Sequence, residues 1–332
     1  VPIRRVPRPL LVSVFLVAAL AVVAVITLGT GQISVAPLDV VRTLLGNGSK
    51  LTDFAVLELR LPRAVTAVLV GAALGISGAV FQSLSRNPLG SPDIIGFNYG
   101  ATTGGLMVIL LAGGSAATVS LGALGGGLVT ALLVYLLAWQ RGVRGYRLVL
   151  VGVGVSAILQ SINFYLIVNA NLADASRATV WITGSLNNRG WEHAVPVGIA
   201  LAVVLPAVLL GGKWLRILEM GDEPARSLGV PVEGARLYLL ITGTAACAVA
   251  TAAAGPIAFV ALTAPQLAKR LTRSTGPNVL PAAWMGALLV LAADFAAQRV
   301  GGSATLPVGV ATAALGGAYL GWLLWRQRAQ SA

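Results

Sequence analysis

Residues 237–271 read LYLLITGTAACAVATAAAGPIAFVALTAPQLAKRL, an apolar run interrupted once, at Gly255-Pro256. The run is longer than the roughly 20 residues that one membrane crossing needs. Proline lacks the amide donor that a continuous helix uses, so the run is either one long helix or two helices broken at that pair. Working outward, apolar runs at 10–28, 64–81, 94–111, 119–139, 148–168 and 194–210 precede it, and runs at 279–297 and 306–325 follow. Charge separates the two readings. A break gives ten spans and puts 16 of the 23 Lys+Arg on the side of both termini, with 7 opposite. A continuous helix gives nine spans and a division of 12 against 11. The positive-inside rule therefore favours ten spans, 237–254 and 256–271 among them, with N and C termini cytoplasmic. The short eighth span, 256–271, has to be sheltered by its neighbours. The expected fold is all-α: a polytopic membrane helical bundle of ten transmembrane helices forming one transmembrane domain over 1–332.

Composition excludes the other broad classes. Hydrophobic residues make up 57% and charged residues 10%, where soluble domains carry about 25% charge. The net charge of +12 does not point to nucleic acid, because the basic residues sit in short clusters between apolar runs rather than along one polar face. The first run follows Arg4, Arg5 and Arg8 as a secretory leader would. Its exit, Gly29-Thr30-Gly31-Gln32, is not a convincing small-residue cleavage site and further spans follow, so it reads as a retained anchor. The lone Cys247 excludes an intrachain disulfide and any Cys-based metal or redox spacing; it reads as a small buried apolar residue.

Chemistry-bearing patterns are few. The nearest approach to a phosphate-binding loop, Gly211-Gly212-Lys213-Trp214, has the wrong spacing and final residue, so the chain has no ATP-binding motif of its own. His193 has only its neighbour Glu192 for a partner and reads as interfacial. Asp294 lies deep in a span and should have a partner or be protonated, a structural hydrogen bond to another helix being the favoured reading; a proton relay, or an ion-coupled secondary transporter, would need more intramembrane acids than it. A membrane enzyme would need clustered nucleophiles or metal ligands, and none is seen. Gly71, Gly75 and Gly78 share a helical face suited to close packing or to a hinge. Ser156, Gln160 and Asn163, at i, i+4 and i+7, form one polar stripe that either lines a path or bonds a neighbouring helix.

The segment 213–236 reads as two short amphipathic helices. Asp222 and Glu223 precede Pro224, an arrangement favoured at a helix start, and Leu228-Gly229 supplies the stop. Leu215, Leu218, Met220, Ala225 and Leu228 give an apolar surface that lies on lipid or docks a cytoplasmic partner.

These residues carry a resemblance. Leu59-Arg60-Leu61-Pro62-Arg63 and residues 71–97, GAALGISGAVFQSLSRNPLGSPDIIGF, closely resemble permease subunits of ferric-siderophore and cobalamin ABC importers, the FecCD and BtuC type. The match continues through 150–155 (LVGVGV), 181–186 (WITGSL), 218–230 (LEMGDEPARSLGV), 255–266 (GPIAFVALTAPQ), 292–294 (AAD) and 306–312 (LPVGVAT). Within the family it looks most like the ferric-enterobactin type of subunit, which pairs with a different, homologous permease.

The resemblance implies a type II ABC importer permease of the bacterial inner membrane, multi-pass and embedded in lipid. It implies a second permease subunit in a heterodimer, two ABC ATPase subunits that hold the ATP and Mg, and an extracytoplasmic siderophore-binding protein. Iron would travel inside a ferric siderophore, with cobalamin or haem as the alternative cargo, and this chain would bind no metal, cofactor or nucleic acid itself. Gly221, Asp222, Glu223, Arg226, Leu228 and Gly229 would seat in a cleft of the ATPase. Arg60 and Arg63 would meet acidic residues of the binding protein, although Arg63 alternatively snorkels to the interface. The fifth and tenth spans border the path in the family, which places Ser156, Gln160 and Asn163 on it, and Gly145 and Tyr146 would form the tip of a cytoplasmic gate loop at 141–147. The chain departs from the family at Gln266, often a His, at Gln298, commonly an Arg, and at Thr305, frequently a Glu. Arg299 lies one step beyond Gln298 and is turned by about 100°.

Overall fold

The computed structural model describes residues 7–31, 33–140, 145–300 and 306–331, and the elements within them are helical. In chain order they are α1 (Arg8–Gly29), α2 (Pro37–Leu44), α3 (Lys50–Asp53), α4 (Leu61–Ser85), α5 (Pro92–Ile95), α6 (Phe97–Leu111), α7 (Ala116–Ala138) and α8 (Gly145–Val168). There follow α9 (Leu172–Ile182), α10 (Trp191–Leu210), α11 (Gly212–Glu219), α12 (Asp222–Ser227), α13 (Val232–Ala254), α14 (Val260–Thr272), α15 (Val279–Val300) and α16 (Val308–Ser331). Seven of the described helical stretches are long and apolar enough to cross a membrane, and Phe97–Leu111 and Val308–Tyr319 are shorter apolar helices.

The run that opened the reading is broken. Helix α13 ends at Ala254, Gly255 takes a positive φ of 74°, and Phe259 takes φ 68° before α14 begins. Pro256 cannot donate back into α13, and a glycine makes the sharp turn without steric cost. The chain then reverses. Arg8 at the start of α1 donates from Nε to the carbonyl of Leu271 at the end of α14, 3.2 Å away. Arg86, just past α4, reaches Asp222 of α12, and Lys269 of α14 lies 3.6 Å from Glu219 of α11. These groups mark one end of the bundle. At the other end Arg60 bonds the Leu28 carbonyl, and Arg299 bonds the Thr30 hydroxyl.

Helix α4 is the central element, packed by α15, α13, α14 and α10. Its glycines explain how. A Cβ on Gly71, Gly75 or Gly78 would fall inside the van der Waals surface of the carbonyl oxygens of Gly286, Ala282 and Ala261, respectively. Without a hydrophobic drive between helices in lipid, such close backbone approach supplies the packing energy.

Several boundaries differ from the sequence reading. The second run is helical from Lys50 to Ser85, with a π-helical stretch at Phe54–Arg60 ahead of Pro62. The wider helix there relieves the clash of the proline ring with the preceding turn. The third run is split at Gly96, φ 93°. Gly145 and Tyr146 are not a loop tip: they form the first turn of α8, Gly145 packed against Leu84 and Ser85 and Tyr146 78% exposed. Arg147 lies in the same turn, and residues 141–144 of the expected gate loop lie outside the described residues, as does Thr305.

Candidate functional site

A cavity of about 910 Å³ opens between α5–α6, α8, the turn after α9, the α13–α14 break and the start of α16. Both helix breaks face it. Its polar lining includes Ser156, Gln160 and Asn163, so the α8 stripe faces a cavity rather than only a neighbouring helix. Ser156 donates to the carbonyl of Gly152 at 2.7 Å. Asn163 is 7% exposed, and its Oδ1 has no hydrogen-bond partner among the described residues.

Sequence reasoning missed Asp93, which also lines this cavity. Its Oδ1 accepts from Nδ2 of Asn98 at 2.8 Å, while Oδ1 of Asn98 accepts from the Thr251 hydroxyl of α13 at 2.7 Å. The backbone N–H of Phe259 faces the same carboxyl. The available signal was an acid flanked by Ser91-Pro92 and Gly96 within an apolar stretch, which reads as a surface turn until the two helix breaks are brought together.

At one end of the bundle, α11 and α12 form a hairpin fastened by ion pairs. Asp222 Oδ1 lies 2.8 Å from Arg236 Nη2 and 3.3 Å from Arg86 Nη2. Glu219 accepts from the Ser83 hydroxyl at 2.6 Å and faces Lys269. Glu233 faces Arg236 at 3.5 Å and Arg226 at 3.8 Å. The expected group of six thus divides. Gly221 is buried with φ 121°, a conformation only glycine adopts freely, and Asp222 turns inward; Glu223, Arg226, Leu228 and Gly229 are exposed. The expected apolar surface divides as well: Leu215, Leu218 and Ala225 pack into the bundle, whereas Met220 and Leu228 stand out at 66% and 62% exposure. Replacing Asp222 by alanine is expected to weaken the hairpin's hold by about 1.5 kcal/mol. Tryptic cleavage within 213–236 then speeds up roughly tenfold, with no such change for Glu223→Ala; equal cleavage rates would show that Asp222 does not hold the hairpin.

At the other end, Arg63 makes a two-pronged contact with Asp294, Nε to Oδ2 at 3.0 Å and Nη2 to Oδ1 at 2.8 Å, and Gln298 donates to Oδ2 at 2.7 Å. Asp294 is 1% exposed. Its partner is therefore the arginine expected to face a binding protein. Arg60 bonds the carbonyls of Leu28 and Ile33, and Arg299 bonds the Phe295 carbonyl and lies over the Phe295 ring. Nearby, His193 takes a hydrogen bond between Nε2 and Arg189 Nη1 at 2.8 Å and lies 3.1 Å from Glu192 through Nδ1. Burial pushes the Arg189 guanidinium below its ordinary value. This is a fastening of the loop to α10, with no nucleophile beside it. No group of three metal-ligating side chains occurs among the described residues.

The family model of the FecCD transport family matches residues 19–326. The ferric enterobactin transport system permease protein FepG of Escherichia coli (strain K12) is 44% identical over 94% of this chain and 95% of its own length. The iron(3+)-hydroxamate import system permease protein FhuG of Bacillus subtilis (strain 168) is 34% identical over 96% of this chain and 98% of its own. A solved inward-facing structure, described as of the metal-chelate ABC transporter type, superposes with a TM-score of 0.83 at 26% identity, covering 96% of this chain and 99% of that one.

Proposed function

The chain belongs to the FecCD transport family, and on that premise we propose that it is the membrane-embedded permease subunit of an ABC importer for ferric siderophores. The observation that carries the reading is the α11–α12 hairpin. It is tied by Asp222 and Glu219 to α4, α13 and α14, the last two of which meet at the break that lines the cavity, while it leaves Glu223, Arg226, Leu228 and Gly229 exposed. An ATPase pair holding ATP and Mg would grip that outer face, and its closure would be felt through the ion pairs at the ends of α4 and α13. The chain then needs no nucleotide site of its own. Ten spans in one domain, with both termini cytoplasmic and the membrane the bacterial inner one, fit the ends defined above: Arg8, Arg86, Asp222 and Lys269 at one side, Arg60 and Arg299 at the other.

Cargo would pass along Ser156, Gln160 and Asn163 with a second, homologous permease completing the path, and Gly145 and Tyr146 would narrow its cytoplasmic mouth. Arg60 and Arg63 would serve the extracytoplasmic siderophore-binding protein, Arg60 the more directly, since its bonds among the described residues are to neutral carbonyls. The relatives' names share an iron(III) chelate, and iron here would be cargo inside the siderophore.

The test is uptake of radio-iron as several ferric siderophores in an iron-limited strain lacking this chain. Loss confined to one siderophore class is expected, restored by the intact chain and not by a Glu223→Ala/Arg226→Ala pair. Normal uptake of every siderophore would overturn the cargo assignment in favour of cobalamin or haem.

A further inference from the structure

Asp93 stands where two helix breaks meet. On one side, α5 ends at Gly96, whose positive φ lets α6 start in a new direction. On the other, α13 ends at Gly255 and the half-length α14 begins at Phe259, a non-glycine residue held at φ 68°. A bulky residue in that region is strained and persists only where its surroundings hold it. The Asp93 carboxyl faces the Phe259 N–H, one of the amides that no turn of α14 can satisfy. Asn98 holds the carboxyl from the side and is itself fixed by Thr251 near the end of α13. One carboxylate thus joins α5 to α6 and, through Asn98, to α13, and faces the start of α14. The tie lies in the cavity wall, and α8 packs directly behind it: Gly152 meets Ile95, and Ser156 meets Gly96.

We propose that Asp93 is a positioning residue of the translocation cycle, a pin that holds the tip of α14 against the α5–α6 break so that the cavity keeps its closed wall until the cycle releases it. The proposal rests on the importer reading only for its transport readout. A carboxylate suits the role because it accepts from Asn98 with one oxygen, can accept from the Phe259 N–H that it faces, and is strengthened by the positive end of α14. An asparagine of the same shape loses the charge and turns one acceptor into a donor facing the Phe259 N–H.

Wall integrity is read first, without cargo. In sonicated membrane vesicles from cells making the whole import system, Gln160→Cys in a Cys247→Ala background reports access to the cavity by its rate of maleimide modification. Asp93→Asn is expected to raise that rate at least about fivefold, about 1 kcal/mol of local opening, with a cysteine at Leu121 on the exposed face of α7 unchanged. Asp93→Glu is expected to stay near the parent rate. In the uptake assay Asp93→Asn should lower the maximal rate about tenfold with the half-saturating cargo concentration unmoved. An unchanged modification rate overturns the proposal, and so does a shift in half-saturation at unaltered maximal rate, which marks a cargo contact instead. Should Asp93→Asn fail to accumulate, Asn98→Ala removes the lateral support, and the same modification contrast decides. Faster modification in a chain that carries no siderophore keeps the pin and rejects the cargo assignment.

Discussion

Arg63→Ala is expected to lower the unfolding free energy by about 3–5 kcal/mol, the usual result of stripping one partner from a buried ion pair. The substitution leaves the Asp294 carboxylate, 1% exposed, with only the Gln298 amide. Asp294→Ala is expected to cost less, because the Arg63 side chain is 19% exposed and its flexible end can turn to water. Replacing both, as Arg63→Met with Asp294→Leu, should regain much of the loss, since a well-packed apolar pair avoids the desolvation penalty altogether. The measurement is the thermal midpoint of the detergent-purified chain for the two single variants and the pair, from which the coupling energy follows. A midpoint unchanged in Arg63→Ala, together with weakened binding-protein affinity, would mean that Arg63 spends its charge on the partner rather than on α15.

The second large effect concerns backbone contact rather than charge. Gly78→Ala places a methyl group against the carbonyl of Ala261, on the first turn of α14, where no side chain can move aside. Overpacking of this kind costs about 1–3 kcal/mol when the surroundings yield. Here the obstacle is helix backbone on both sides, so about 3 kcal/mol or more is expected, with α14 pushed off α4. Gly125→Ala and Gly154→Ala, where a Cβ meets nothing within 4 Å, should instead stabilise by up to about 1 kcal/mol through helix propensity. Thermal midpoints of the three variants check the contrast; equal shifts in all of them would mean that the α4 glycines are not contact-limited.

These effects separate what the chain declares from what its folding assembles. Apolar run length, the absence of an amide in Pro256 and the uneven placement of 23 basic residues are local or additive properties. They therefore gave the helical membrane bundle, the break after Ala254 and the two short helices at 212–227 from the sequence by itself. The polar stripe of α8 was equally legible, because helical periodicity fixes which residues share a face. Pairings were not. Arg63 and Asp294 lie 231 residues apart, and nothing in either neighbourhood tells the arginine to turn inward rather than toward a partner. Asp222 reads as part of an exposed docking segment until Arg86 and Arg236 arrive from α4 and α13. Asp93 reads as a turn residue until two helix breaks close around it. The physical reason is common to all three: a buried charge is settled by whichever opposite charge or donor the tertiary fold brings within about 3 Å, and that distance is a property of packing, not of spacing along the chain.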